Sequence, residues 1–188
     1  MNDSVNREET NLNAFNNQWY ETGASKIKIL TWYLVNAVFF INPLNPASSI
    51  KVFLLRIFGA KIGNNVLIKP GVNIKYPWKL EIADQVWIGE RVWIDNLAFV
   101  KIESNACISQ GAMLLCGNHN YKKTTFDLMV GEIIIEKGVW IGAQAVVTPG
   151  ITCHSHSILT VHSVATSDLE PYSIYQGNPA VKIRDRKL

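Results

Sequence analysis

Much of what would point elsewhere is scarce in this chain. The 188 residues hold three cysteines, Cys107, Cys116 and Cys153, an odd number with no Cys-x-x-Cys spacing. That argues against a disulfide framework and suits a reduced, cytoplasmic protein. Charge is also sparse: 18% of residues are charged and the net charge is +3, too little to argue for a nucleic-acid partner. The basic residues are scattered except in the tail, where Lys182, Arg184, Arg186 and Lys187 either meet a phosphate or lie solvated. The first eleven residues are polar, so no secretory signal is expected. The longest apolar run, Ile29 to Ile41, contains Asn36 and falls short of the ~20 residues that a bilayer crossing needs. Its aromatic residues, behind Lys26 and Lys28, leave two readings for residues 26–41: a peripheral membrane contact, or a helix packed on the main body.

The chain divides into an N-terminal helical extension (1–60), a repeat region (61–170) and a short tail (171–188). Residues 1–11 read as extended or disordered. A helical pattern runs from Phe15 to Ile41 with a break near Gly23, and Asn42-Pro43-Leu44-Asn45-Pro46 ends it. Ser48 or Ser49 is expected to cap a second helix, Ile50 to Phe58, with Lys51 and Arg56 on its wet side and Gly59 as its stop.

The repeat is the main signal. Aliphatic residues recur every six positions: Ile62, Ile68, Ile74; Ile82, Ile88, Ile94; Ile102, Ile108, Leu114; Ile135, Ile141, Val147; Cys153, Leu159, Ala165. Thirteen of these fifteen are Ile, Leu or Val. Leu80-Glu81 and Val100-Lys101 interrupt the period, and so do the fifteen residues Asn120 to Ile134. Each interruption follows a multiple of three hexads. The unit is therefore an eighteen-residue, three-sided coil, with all insertions leaving from one corner. Such coils stack aliphatic ladders down a common centre and pair their backbones at about 4.8 Å. The fold predicted is an all-β solenoid, a parallel β-helix of about five coils. One coil alone has no buried core, so stability requires the stack.

The hexads resemble those of the left-handed β-helix acyltransferases. Further stretches narrow the likeness: Leu54–Gly63, Tyr76-Pro77-Trp78-Lys79-Leu80-Glu81-Ile82, Trp93-Ile94-Asp95-Asn96-Leu97, Gly117-Asn118-His119-Asn120-Tyr121, Val139-Trp140-Ile141-Gly142-Ala143 and Gly177-Asn178-Pro179-Ala180. Together they resemble the O-acetyltransferases of colanic-acid and capsular polysaccharide biosynthesis, from about Leu12 to the C-terminus. The resemblance implies left-handed coiling, acetyl-CoA as co-substrate and a homotrimer with active sites between subunits. It also implies a carbohydrate acceptor, and a cytoplasmic location that includes the inner face of the membrane.

Moving an acetyl group from a thioester to a hydroxyl calls for a base with a pKa near neutrality. The chain has four histidines, His119, His154, His156 and His162. His119 stands at the long interruption, at the position of the family's catalytic histidine. By register Asn96 lies under Cys116, within roughly 10 Å of His119. Asp95 and Asn96 thus either hold acceptor hydroxyls or serve turns through their own backbone. In the loop 120–134, Tyr121 and Asp127 suit a sugar. The resemblance places Trp140 beside the pantetheine arm, or else at a subunit contact, and gives the Ala143 N–H to the thioester oxygen. Val161 lies in the altered last coils, beside the cofactor. Those coils carry His154, Thr160 and Thr166 at the second hexad position, where the family favours glycine, so Lys182 and Arg184 are the alternative phosphate partners.

Two other readings remain at this level. One is a metal hydratase like the γ-class carbonic anhydrases, which share the prism and use three imidazoles around zinc. The other is a binding or scaffold protein that kept the prism without the chemistry. The transferase reading expects no metal.

Overall fold

A computed structural model describes residues 8–188; the part of the 1–11 expectation that falls on residues 1–7 lies outside the described residues. The hexads form a three-faced parallel β-solenoid of about six turns. Its first face stacks Lys61–Ile62, Leu80–Ile82, Val100–Ile102, Ile133–Ile135 and Thr152–Cys153. The second stacks Leu67–Ile68, Trp87–Ile88, Cys107–Ile108, Trp140–Ile141 and Ile158–Leu159, and the tail strands Ser173–Gly177 and Ala180–Asp185 extend it. The third stacks Asn73–Ile74, Trp93–Asp95, Met113–Leu115, Val146–Val147 and Val164–Ala165. The aliphatic ladder is the core: Ile68, Ile94, Ile102, Ile108, Leu114, Ile141 and Val147 have no exposed surface. The corner insertions also point a residue inward, and Leu80, Val100 and Ile133 are buried on the first face.

The corners explain two of the histidines. The fourth position of the first two hexads turns through left-handed backbone, at Asn65, Gln85, Asn105, Gly138 and His156 on one corner and at Gly71, Arg91, Gly111, Gln144 and His162 on the next. His156 and His162 are thus turn residues on different corners. His156 stacks on Tyr172, and its carbonyl accepts from Arg186.

The N-terminal segment caps the first coil, as solenoid ends require. Helix α1 (Lys26–Val35) begins at Ser25, whose side chain accepts from Lys28 N. It runs on through a wider turn, Asn36–Ile41. Buried Trp32 donates Nε1–H to the Ile74 carbonyl, and Asn36 bonds Asn73 and Ile74, which fixes the helix over the third face. The stretch 15–24 is not helical, contrary to the periodic reading. Asn11 N instead bonds Thr124 O, and Tyr20 bonds Leu97 O, so this segment is held by distant contacts rather than by its own backbone.

Helix α2 (Ser48–Ile57) differs from expectation in two ways. Ser48 caps no helix: its hydroxyl accepts from Ile68 N and donates to Val66 O. Lys51 is not on the wet side. It is fully buried, with Nζ donating to the carbonyls of Ile68 and Lys69, and burial lowers its pKa. These carbonyls end the second strand of the first coil, so the ammonium replaces a missing neighbouring coil.

Candidate active site

The solenoid is broken once, at the corner between the third and first faces. Cys116 is the last core residue before the break, and the next residues form an antiparallel hairpin, Gly117–His119 against Leu128–Val130. The excursion leaves at Gly117 and is back at Gly131, whose N–H bonds the Cys116 carbonyl at 2.9 Å. It therefore starts three residues before the position that hexad counting gives, because Cys116 is the last side chain that can fill the core. His119 accordingly stands on the hairpin, opposite Leu128, and not on a rung of the third face. At the root, a Cβ on Gly117 would meet the end of the Leu97 side chain, which would have to turn aside.

Within the hairpin His119 is held closely. Its Nδ1 lies 2.9 Å from the Phe126 carbonyl oxygen, and its ring stacks on the Phe126 ring at 4.4 Å and 5°. A carbonyl can only accept, so Nδ1 carries the proton and Nε2 holds the lone pair. Phe15 also packs against the imidazole, tilted by 56° at 5.6 Å between ring centroids.

Phe15 belongs to the segment that bonds the hairpin at Asn11 and then passes a groove of about 350 Å³. Trp19, Tyr20, Glu21, Lys79, Leu97, Val130 and Glu132 line it. Trp19 is 57% exposed there. Lys79 Nζ donates to Tyr20 Oη and to the carbonyls of Glu21 and Leu97. Burial lowers the Lys79 pKa and raises that of Tyr20 well above the phenol range. No reading of the sequence placed this groove. The aromatic cluster Phe15, Trp19, Tyr20 in an otherwise polar stretch was the signal available.

The four residues expected at the acceptor divide. Asp95 points outward from the third face beside the hairpin root: Oδ1 accepts from Lys75 at 2.9 Å, and Oδ2 lies 3.8 Å from the Cβ position at Gly117. Asn96 cannot take an acceptor hydroxyl. It is fully buried, Oδ1 accepts from Tyr76 N, and Nδ2 donates to the carbonyls of Tyr76 and Lys79. Nor does it serve its own turn: its side chain ties the coil below, at Tyr76 and Lys79, to its own coil. Tyr121 is 79% exposed at the hairpin tip. Asp127 is engaged by Lys123 and Thr125, which hold its carboxyl below the usual range.

A second groove, about 390 Å³, lies on the corner between the second and third faces. Trp140, Ala143 and Val161 line it with Ser109, Gly142 and Thr160. Trp140 lies on the second face, pairing Cys107 below and Ile158 above. Its indole N–H donates to Ser109 Oγ at 2.8 Å. Gly142 is needed at the floor, because a Cβ there would lie 2.6 Å from Val161 N. The bulkier Thr160 and Val161 leave the groove open. Among the described residues the Ala143 N–H has no backbone acceptor. Lys182 does not stand free for a phosphate: Glu170 and Asp185 both pair with it at 2.9 Å and raise its pKa. Arg184 is exposed on the outer side of the second face, paired with Ile174, which pairs Ile158 beside the groove.

No family model matches the chain. It is 35% identical over 164 residues to the Escherichia coli (strain K12) protein assigned as the colanic acid biosynthesis acetyltransferase WcaF, covering 87% of this chain and 90% of that one. The chain belongs to the WcaF family of acetyltransferases. It is an acyltransferase of the hexapeptide-repeat type. Solved structures confirm the fold. The hexapeptide-repeat acetyltransferase VCA0836 from Vibrio cholerae, complexed with acetyl coenzyme A, matches with a TM-score of 0.78 at 20% identity over 89% of this chain and 92% of that one. A maltose O-acetyltransferase from Clostridium difficile 630 matches with a TM-score of 0.73 at 17% identity, over 87% and 90%.

In this WcaF-family acetyltransferase the remaining histidines are engaged within the fold. His154 is paired with Glu136 at 3.0 Å, and His156 and His162 serve separate corners. Among the described residues no three His, Cys, Asp or Glu side chains form a group that could hold a metal ion. The thiols are poorly placed for a covalent acyl intermediate. Burial pushes Cys116 up to about 12 and raises Cys153 further.

Proposed function

We propose that the chain transfers the acetyl group of acetyl-CoA to a sugar hydroxyl in surface or capsular polysaccharide assembly, with His119 as general base. The observation that carries this is the Nδ1 contact to the Phe126 carbonyl, which leaves Nε2 basic. The acceptor hydroxyl gives its proton to Nε2 while its oxygen attacks the thioester carbonyl. The Ala143 N–H meets the oxyanion, the C–S bond breaks, and the imidazolium returns the proton to the CoA thiolate. The sugar lies in the groove beside the hairpin, where Trp19 offers an apolar ring face and Glu21 and Glu132 offer hydroxyl partners. The pantetheine arm lies along Trp140 and Val161, with Arg184 toward the CoA phosphates.

The two grooves occupy different corners of one prism, with the third face between them. A second copy is therefore needed to bring a Trp140–Ala143 groove to His119, which supports a homotrimer with active sites between subunits. Exposed Trp87, Trp93 and Met113 on the outer second and third faces suit that packing. The assembly is cytoplasmic and meets a membrane surface through residues 26–41.

Calorimetric titration with acetyl-CoA tests the reading without knowledge of the acceptor. Saturable binding near one per chain is expected, followed by thiol release when nucleotide- or lipid-linked sugars are added. A folded protein that binds no acetyl-CoA would refute it.

A further inference from the structure

Helix α1 and its wider turn are apolar on opposite sides at once. One side buries Trp32 and Phe40 against the first coil. On the other, Ile27, Leu30, Leu34, Val38 and Ile41 follow helical spacing and are all exposed, Ile27 by 79%. On α2, Ile50, Phe53 and Ile57 form a second exposed stripe, and Leu44 between the helices is 87% exposed. A helix that is apolar all round belongs in a core or in an apolar phase.

The charges of this sector decide what covers it. Between Glu21 and Glu81 the chain carries eight lysines and arginines and no carboxylate side chain. That interval holds both helices and the whole first coil. All fifteen Asp and Glu residues lie outside it. Lys51 is buried, Lys79 is engaged in the hairpin groove, and Glu81 and Asp95 reach back to Lys61 and Lys75. Lys26, Arg56 and Lys69 are thus its exposed cations with no carboxylate partner among the described residues. A second copy of the same face would set cation against cation. An anionic lipid surface satisfies both features, taking the apolar side chains below its headgroups and the cations among them. No helix among the described residues is long and apolar enough to cross a membrane, so the helices would lie in the interface.

We propose that α1, α2 and the turn between them form one docking surface for an anionic lipid bilayer, with Lys26, Arg56 and Lys69 at headgroup level. This deepens the peripheral contact named above and rests on that reading: it adds α2, the lipid charge and the orientation. The surface covers the end of the solenoid, so the prism axis stands away from the membrane. Copies joined with parallel axes would present it on one side, multiplying the contact.

The test floats the full-length protein with vesicles of equimolar phosphatidylcholine and phosphatidylglycerol. The protein is expected to rise with them and to stay behind with pure phosphatidylcholine. Partition should fall at least about tenfold in the Leu30→Glu/Phe53→Glu variant. It should also weaken when salt shortens the screening length from about 10 Å to about 3 Å. Absence of flotation, equal flotation on neutral vesicles, or an unchanged variant would each overturn the proposal. So would a variant that falls to a smaller oligomer in sedimentation, since another copy would then be what covers the face. Acetyl-CoA titration of the same preparations keeps the two readings apart: lost flotation with intact acetyl-CoA binding removes the docking surface alone, and the reverse removes the transferase alone.

Discussion

Phe126 holds His119 twice, through its carbonyl oxygen on Nδ1 and through its ring against the imidazole face. Backbone and side chain of one residue thus set both the tautomer and the orientation of the proposed base. Replacing His119 with Ala should lower turnover by roughly a hundredfold or more. Its acetyl-CoA affinity and melting temperature should stay near the parent's, because the side chain is outside the solenoid core. Undiminished turnover would exclude His119 from the chemistry.

Phe126 itself adopts left-handed backbone, with φ of 51°. Phe126→Gly relieves that strain and keeps the carbonyl but deletes the stacked ring. We expect kcat to fall between about tenfold and about a hundredfold with KM for acetyl-CoA unchanged. Phe126→Tyr should restore it. A shift in KM instead would mean the ring shapes the binding site rather than aiming the base.

Trp140 offers a half-exposed indole fixed by Ser109. Trp140→Ala should weaken acetyl-CoA binding by about tenfold, the scale of a buried aromatic anchor. Fluorescence quenching on titration, present in the parent and reduced in the variant, reads this directly.

Asn96→Ala leaves the Tyr76 N–H and the carbonyls of Tyr76 and Lys79 without partners in a buried site. The cost expected is about 1–3 kcal/mol, seen as a melting temperature lower by several degrees. Acetyl transfer at low temperature should be kept, which distinguishes this structural role from the acceptor contact that the sequence suggested.

Glu136 is pushed up by burial, but hydrogen bonds from His154 and from the Ser155 side chain and N–H outweigh that and lower its pKa. A carboxyl depressed in the folded state stabilises above its unfolded value, near 4.3, and loses that contribution as pH falls through the folded value. Glu136→Gln should therefore melt below the parent at neutral pH, and the gap should close in acid. A gap that widens in acid would reverse the assignment.

The solenoid was legible because its core is one-dimensional. A six-residue period with interruptions only at multiples of three defines a triangular coil, and Ile68, Ile94 and Ile108 are buried where it places them. The places of Lys51 and Asn96 are not legible, because their partners are backbone carbonyls and amides of other coils, which leave no mark in a sequence. The groove beside the hairpin was missed for a related reason. Trp19 reaches it, and Phe15 reaches His119, through an irregular segment with no period, held by contacts to residues about a hundred positions away. The charge asymmetry between Glu21 and Glu81 was countable from the start, but it acquires meaning only when the helices are seen to leave their apolar side bare.

The bond between Gly131 N and the Cys116 carbonyl means that the hairpin begins and ends at one point of the coil. To the stack, that detour has almost no length: cut it out, and Cys116 and Gly131 are close to being joined already. The proposed base thus rides on a piece of chain that the coil does not need in order to close. Its length and sequence are free of the geometry that sets the rungs.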